Sequence, residues 1–274
     1  MRPDLYRTKL ALLTLAVSIT ACAGLKQGAR DGTVDHQRLL SQQQVDAVLY
    51  QHTSAEVYRL YQQGYELARI RLDANLAKGF GHPPAVVVDV DETVLDNSPY
   101  EMERIATGTT YSDSTWKAWT QRAAAKALPG ALAFLEYAGS RQCEVYYVTN
   151  RSEEEKLATI LNLKLAGMPF ADAAHVLCME GTSDKSVRRR GITISNDIML
   201  YLGDQLRDFS EDFKDRSIDF GKPLVDQHAD TLRDYFVLFP NSMYGTWRDV
   251  ITGKGTDAQK HDAVQRLFAK YAQP

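Results

Sequence analysis

Five short apolar segments recur along the chain from residue 85 onward, at 85–88, 143–148, 174–178, 198–203 and 235–239. Apolar runs of this length are typical of strands that are buried on both faces of a parallel sheet. Stretches of helical period separate several of them, as at 153–166, where Ser152 and Glu155 form a capping box. The pattern predicts an α/β fold, with a doubly wound parallel sheet, helices on both faces and a smaller helical domain.

The region before the first strand has a different pattern. From about residue 35 to residue 78, apolar residues recur at helical spacing with polar residues between them. Two glycines and two prolines between Gly79 and Pro84 then end the helical pattern. We therefore divide this part of the chain into an N-terminal helical segment, 35–82, and a core with helical insertions, 83–274.

Residues 1–21 have the pattern of a secretory signal, with three basic residues before an apolar run at 10–19. That run is too short to span a bilayer comfortably, which takes about 20 residues. The sequence Ile-Thr-Ala-Cys at 19–22 resembles a bacterial lipobox, after which Cys22 would be the lipidated first residue and 22–34 a flexible tether. Ala23 resembles the sorting pattern for an outer membrane, so we expect a lipid-anchored protein of the Gram-negative outer membrane, facing the periplasm or the surface. An ordinary signal peptide with Cys22 incidental is the alternative.

Charge limits the partners of the protein. The chain has 32 basic and 35 acidic residues and a formal net charge of −3. Since residues 1–21 carry a net charge of +2, their removal would leave the mature chain at −5. Nucleic-acid phosphates are bound mainly by clustered cations, so we expect no nucleic-acid partner.

Cys143 and Cys178 are the cysteines that remain after Cys22, and their spacing excludes a CxxC metal or redox motif. An oxidising compartment would permit a disulfide between them, and two buried free thiols are the alternative.

The sequence Asp-Val-Asp-Glu-Thr-Val-Leu-Asp-Asn at 89–97 directly follows the first predicted strand. Two carboxylates at this position are costly unless they bind a cation or take part in chemistry. An EF-hand loop is excluded, because Val94 occupies the position that requires glycine.

Three more polar segments follow in order: Thr-Asn-Arg at 149–151, Lys185 within 183–186, and Gly-Asp-Gln-Leu-Arg-Asp at 203–208. Each could be an ordinary strand end, turn or surface lysine. Ligands of open parallel sheets bind beyond the carboxyl ends of the strands, where the polar residues Asp89, Thr149, Asp204 and Asn241 would meet.

In this order, the segments resemble the motifs of the haloacid dehalogenase superfamily, and within it those of the class C nonspecific acid phosphatases. That family includes bacterial outer-membrane lipoprotein phosphatases. Residues 87–100 closely resemble its first motif, with Val90 where Ile or Leu is usual, and 200–209 resemble its second. Segments 184–188 and 240–247 also resemble parts of the family, so the resemblance covers about residues 40–250 and the lipoprotein signal.

The resemblance implies a Mg²⁺-dependent phosphatase that forms an aspartyl-phosphate. Asp89 would be the nucleophile, and Asp91 would protonate the leaving alcohol and then activate the water. Thr149 and Lys185 would bind the phosphoryl oxygens. An acid pH would keep Asp91 protonated, which agrees with an acid optimum for the family.

The same resemblance implies the metal ligands. Mg²⁺ would be held by the carboxylates of Asp89 and Asp204 and by the backbone carbonyl of Asp91. Asp208 would orient these ligands from a second layer.

Two aromatic side chains clamp the substrate in this family, and Trp116 and Tyr244 are the positions that match them. Asn150 is expected to contact the substrate as well. Nucleoside 5′-monophosphates, including nicotinamide mononucleotide, are therefore the expected small-molecule phosphomonoesters. Members of the family are often dimers, so a homodimer is among the expected partners.

Two other functions fit the sequence. The chain could be a binding lipoprotein that has kept the fold and lost the activity, although the motif residues are intact. It could also be a phosphotransferase or a sugar phosphatase of the same superfamily.

Overall fold

The computed structural model describes residues 34–272 of the chain. The predicted signal peptide, the tether up to residue 33 and the predicted lipidation site Cys22 lie outside the described residues. Within residues 34–272, no helix is long and apolar enough to cross a membrane.

A five-stranded parallel sheet forms the centre of the molecule, in the order β5-β4-β1-β6-β7, and a two-stranded antiparallel ladder joins β2 and β3. The strands are β1 Pro84–Val88, β2 Leu95–Asp96, β3 Lys126–Ala127, β4 Glu144–Ser152, β5 Val176–Met179, β6 Asp197–Gly203 and β7 Phe236–Leu238. Every residue of β1 is buried, as its unbroken apolar run predicts for a central strand. The predicted α/β fold is confirmed, with all five core strands within four residues of their expected bounds. The β2–β3 ladder was not predicted, because two-residue strands are too short to produce an apolar pattern.

Helices cover the sheet and form the walls of the site. They are α1 His36–Gln42, α2 Val45–Thr53, α3 Ala55–Leu76, α4 Ser98–Thr107, α5 Asp113–Thr120, α6 Ala131–Ser140, α7 Lys156–Leu165, α8 Ser186–Ile192, α9 Leu206–Phe209, α10 Lys222–Gln227, α11 Ala229–Tyr235, α12 Thr246–Thr252 and α13 Asp257–Tyr271. Short 3₁₀ turns lie at Glu153–Glu155, Glu211–Lys214 and Asp219–Gly221. The predicted capping box of Ser152 and Glu155 is present, and it starts the 3₁₀ turn that leads into α7.

The N-terminal helical pattern forms three helices. Helix α3 begins where the Ser54 side chain accepts a hydrogen bond from the Val57 N–H at 3.0 Å. Its buried residues recur every three or four positions and join one core with the strands: Val57, Tyr61, Tyr65, Ala68 and Leu72. The N-terminal helices and the sheet therefore share a hydrophobic core.

The smaller helical part of the molecule is assembled from three separate stretches of the chain. Helix α4, inserted between β2 and β3, contacts α1 and α2 from the N-terminal segment. Helix α13, near the C-terminus, contacts α1 and α12. These contacts join residues that are far apart in sequence, and together they pack α4, α12 and α13 into one group of helices with α1 and α2.

Strand β4 continues beyond the predicted end at residue 148. Its pairing with β5 shifts between Val148 and Ser152, where β4 advances four residues and β5 only two. This irregularity is a bulge that contains residues 149–151. Thr149 and Arg151 are buried and Asn150 is exposed, so the bulge presents alternate side chains to the interior.

The two cysteines are free and buried. Tyr147 of β4 is paired with Val176 of β5. Cys143 lies four residues before Tyr147, and Cys178 lies two residues after Val176. At about 3.3 Å per residue, the two cysteines are therefore roughly 20 Å apart along the strands. A disulfide requires Cα atoms within about 7 Å, so of the two alternatives the structure has the free thiols.

Both thiols should therefore be unreactive in the folded protein. Burial raises the pKa of Cys143 to about 11 and that of Cys178 to about 12, which leaves little thiolate at pH 8. In a Cys22→Ser chain, alkylation at pH 8 should be at least about 100-fold slower in the folded than in the urea-unfolded protein. Unfolding without reductant should expose two thiols. Fewer than two would indicate a disulfide and contradict the observed register.

Candidate active site

The carboxyl ends of the strands open into a cleft of about 880 Å³. Asp89 follows β1, Thr149 lies near the end of β4, and Asp204 follows β6. Because β1 is central, with β4 on one side and β6 on the other, the cleft lies where the strand order reverses direction. The structure thus brings together polar strand ends that lie between 55 and 115 residues apart in sequence.

Three carboxylates meet at the base of this cleft. One oxygen of each of Asp89, Asp204 and Asp208 lies within 4.8 Å of the others. Burial raises the pKa of Asp89 well above its usual range, even though Lys185 favours its charged form. Burial and the charge of Asp208 raise the pKa of Asp204 to about 7. One lysine does not neutralise three carboxylates, and this donor set fits a hard divalent cation that prefers oxygen ligands.

Lys185 is the cation of this cluster, and its ammonium group pairs with Asp89 and, at 2.7 Å, with Asp208. Burial alone would lower the pKa of Lys185, but the attraction of Asp208 and Asp89 outweighs burial and raises it. The other oxygen of Asp208 accepts a hydrogen bond from the Gln205 N–H at 2.9 Å. A β-carbon at Gly203 would collide with the Asp208 carboxyl group, so glycine is required there. Asp208 is thus engaged in orienting Lys185.

Asp204 keeps one oxygen for a cation. Its Oδ2 accepts hydrogen bonds from the side-chain amides of Gln205, at 2.8 Å, and Asn241, at 2.7 Å. Its Oδ1 has no hydrogen-bond partner in the part of the chain that the structure describes. Asp89 and Asp204 are therefore the side chains best placed to hold a metal ion.

Asp91 lies in a different environment. Arg151 donates to its Oδ1 through Nε at 3.0 Å and Nη2 at 2.7 Å. The Asn97 amide donates to the same oxygen at 2.8 Å, and the Thr149 hydroxyl lies 3.5 Å from Oδ2. The Arg151 side chain is fully buried, while that of Asp91 is 17% exposed. Asp91 therefore faces the cleft in a fixed orientation, with a counterion of its own.

Arg151 and Asn97 are site residues to which the sequence analysis assigned no role. Arg151 adjoins a strand-end threonine, and Asn97 ends the motif at 89–97, but neither position reveals a partner. Trp119 also belongs to this group, since its indole N–H donates to Asn97 Oδ1 at 2.8 Å. The indole thereby orients the amide that contacts Asp91.

Helix α3 holds the turn after Asp89. The Tyr61 hydroxyl donates to the Glu92 carbonyl and the Tyr65 hydroxyl to the Thr93 carbonyl, each at 2.6 Å. Glu92 has φ = 58°, a conformation that non-glycine residues rarely adopt. Its buried carboxyl group accepts from the Asn97 N–H at 2.7 Å, and burial raises its pKa well above the usual range. The motif is therefore a tightly closed turn that aims Asp89 and Asp91 at the cleft.

The predicted substrate-binding residues Trp116, Tyr244 and Asn150 also line this cleft. Trp116 packs edge-on against Tyr100 with ring centroids 5.2 Å apart, and the Arg151 guanidinium lies 5.7 Å from its ring centroid. Asn150 is exposed, and its side-chain oxygen accepts from Arg188 at 2.9 Å. One cleft thus contains the carboxylate cluster and flat apolar surfaces.

A parallel sheet with two aspartates after its central strand, a buried lysine and an acidic pair after the neighbouring strand is the arrangement of the haloacid dehalogenase class. The chain belongs to HAD superfamily subfamily IIIB (acid phosphatase), whose family model matches residues 11–247. The predicted family is confirmed.

Solved structures agree with this assignment. The chain is 37% identical to the class C acid phosphatase from Bacillus anthracis, with a TM-score of 0.79 over 83% of this chain and 97% of that chain. A structure of the same protein with tungstate bound gives the same values. Acid phosphatase 1 from Solanum lycopersicum is 32% identical over 98 residues, which span 36% of this chain and 37% of that relative.

Replacing Arg151 by methionine should destabilise the protein strongly, because Asp91 would keep its charge without a counterion. We expect the free energy of unfolding to fall by about 3 kcal/mol in urea titrations. The double variant Arg151→Met/Asp91→Asn should recover at least about 1 kcal/mol, since the uncompensated charge is then gone. Arg59→Met is the matched control, because Arg59 pairs with Glu66 on the exposed surface of α3. A loss as large in the control, or no recovery in the double variant, would contradict this account.

Proposed function

We propose that this protein is a Mg²⁺-dependent acid phosphatase that hydrolyses small phosphomonoesters through an aspartyl-phosphate on Asp89. The observation that carries the proposal is the position of Asp89, buried between Lys185 and Asp204 at the end of the central strand. Membership of the acid phosphatase family supports it. The tungstate bound to the relative from Bacillus anthracis also supports it, since tungstate is a tetrahedral oxyanion like phosphate.

In the first step, an oxygen of Asp89 attacks phosphorus, and the bond from phosphorus to the leaving oxygen breaks. Phosphate monoesters are anionic, so the attack of a carboxylate needs positive charge at the phosphoryl oxygens. Lys185 supplies part of this charge, because its buried ammonium group already contacts Asp89. A Mg²⁺ ion held by Asp89 and Asp204 would add positive charge at the same oxygens.

Asp91 acts as the general acid and then as the general base. It gives a proton to the oxygen of the leaving alcohol in the first step. In the second step it takes a proton from the water that attacks the phosphorus of the aspartyl-phosphate, which releases phosphate and restores Asp89. Arg151, Asn97 and Thr149 orient its carboxyl group toward the cleft.

The proposed substrates include nucleoside 5′-monophosphates, among them nicotinamide mononucleotide. Trp116 and Tyr244 line the cleft that contains Asp89, and a flat base can stack on either ring. Stacking depends on the face of a ring rather than on a hydrogen-bond pattern, so several bases are expected to be accepted.

Asp89→Asn should abolish phosphate release, because an amide cannot act as the nucleophile. We expect a loss of at least about a thousandfold in kcat for a nucleoside 5′-monophosphate at acid pH. Chelation of Mg²⁺ should stop the wild-type reaction, and added Mg²⁺ should restore it. Asp230→Asn, an exposed position on α11, is the matched control.

Three results of this measurement would redirect the proposal. Folded wild-type protein that releases no phosphate from any phosphomonoester would instead support a binding lipoprotein. Full activity in Asp89→Asn would exclude the aspartyl-phosphate. Transfer of phosphate to an added alcohol, with little free phosphate, would indicate a phosphotransferase.

Trp116→Ala should distinguish substrates by their leaving groups. Loss of a stacking surface should lower kcat/KM for a nucleoside 5′-monophosphate at least about tenfold. Glycerol phosphate has no ring to stack, so its kcat/KM should stay within about threefold of the wild-type value. Equal losses on both substrates would show that Trp116 does not bind the leaving group.

A further inference from the structure

The cleft extends beyond the aromatic residues to three cations that the proposed chemistry does not use. Arg248 lies in α12, Lys254 in the loop that follows, and Lys260 in α13. All three line the cleft that contains Asp89. We refer to Arg248, Lys254 and Lys260 as the distal basic group.

No ion pair or hydrogen bond involves the side chains of the distal basic group within residues 34–272, although the charges of Glu101 and Asp249 act on Arg248 from a greater distance. Arg248 is half-buried, and burial, followed by the nearby charge of Arg104, lowers its pKa. Other basic residues of the cleft are paired, since Arg207 contacts Glu211 at 2.5 Å. A partly desolvated guanidinium without a partner is costly, and a bound anion would remove that cost.

Cations outnumber carboxylates in this part of the cleft, where Arg104, Arg248, Lys254 and Lys260 line the wall with Glu101, Asp249 and Asp257. Glu101 is already paired with Arg104 at 2.7 Å, and Asp257 lies 3.5 Å from the Thr110 hydroxyl. Burial raises the pKa of Asp249, although the charges of Lys260, Arg207, Arg248 and Lys254 favour its charged form, so this carboxylate offsets only part of the positive charge. Arg104 also has a hydrogen-bond donor that an anion could satisfy, because its Nε is buried and has no hydrogen-bond partner among the described residues.

Gln205 connects this region to the catalytic carboxylates. Its side-chain N–H donates to Asp204, and its side-chain oxygen accepts from the N–H of Thr246 at 3.1 Å. Thr246 is the first residue of α12, and Arg248 follows two residues later, within about one helical turn. Gly245 has φ = 131°, and a β-carbon there would collide with the Gln205 amide. The position of Arg248 relative to the carboxylate cluster is therefore fixed by packing.

We propose that the distal basic group is a subsite for a second phosphate on the leaving group of the substrate. The protein would then prefer nucleotides that carry two phosphates on one ribose, such as nucleoside 3′,5′-bisphosphates, over the corresponding 5′-monophosphates. One phosphate lies at Asp89, the base contacts the aromatic residues, and the second phosphate contacts Arg248, Lys254 and Lys260. This inference rests on the proposed phosphatase function for turnover, but not for binding.

Binding can be measured without turnover in the Asp89→Asn variant with Mg²⁺ present. Titration calorimetry should show adenosine 3′,5′-bisphosphate binding about tenfold more tightly than adenosine 5′-monophosphate, about 1.4 kcal/mol. Adding Arg248→Gln should bring the ratio of the two affinities to within about twofold of one. Arg190→Gln makes the same charge change on the exposed face of α8 and should leave the ratio at its original value.

A second variant, Lys254→Gln/Lys260→Gln, tests the subsite if Arg248→Gln does not fold, and it too should reduce the ratio. Equal affinities for the two ligands in the Asp89→Asn background would overturn the proposal, as would a ratio that neither variant changes. The proposed phosphatase function fails separately, when the wild-type protein releases phosphate from neither nucleotide. A preference for the bisphosphate that depends on Arg248 would support the subsite in either case.

Discussion

The rest of the site depends on the repulsion among three closely spaced carboxylates, two of them buried, that share a single lysine. Asp89, Asp204 and Asp208 approach closely in a setting that raises the pKa of the first two. Such a cluster persists only if each oxygen has a donor, a counterion or a metal ion. Gln205 and Asn241 supply hydrogen-bond donors, and Lys185 supplies the counterion. The remaining oxygens of Asp89 and Asp204 are available to a cation.

The two aspartates of the first motif are only two residues apart, yet they lie in separate electrostatic environments. Asp89 contacts Lys185, whereas Asp91 contacts the buried guanidinium of Arg151. Such a separation suits the different roles proposed for the two carboxyl groups, one as nucleophile and one as proton carrier. Strand β4 contributes to it, because Thr149 and Arg151 lie two residues apart on the same face of the strand and both contact Asp91. On the other side of Asp91, two tyrosine hydroxyls of α3 hold the tight turn that follows it in the first motif.

The carboxylate cluster and the walls of the cleft that would select the leaving group come from different parts of the chain. The carboxylates proposed to react stand at the edge of the parallel sheet, whereas the walls of the cleft come from an insertion after β1 and from helices near the C-terminus. Gln205 joins the two, since one amide group bonds both to Asp204 and to the start of α12. A change in the helical wall can therefore alter which leaving group is bound without moving the carboxylates, provided this bond is kept.

The sequence by itself determined the class of fold, the five core strands, the family and the motifs that contain Asp89, Asp91 and Lys185. Each depends on local patterns: apolar runs, a capping box, and motifs whose residues are contiguous. Only the tertiary structure decided the role of Arg151, the assembly of the helical wall from three stretches, and the separation of Cys143 from Cys178. These depend on strand order, register and a bulge, which long-range packing sets. A buried ion pair leaves no local trace, because its partners, here Asp91 and Arg151, are 60 residues apart along the chain.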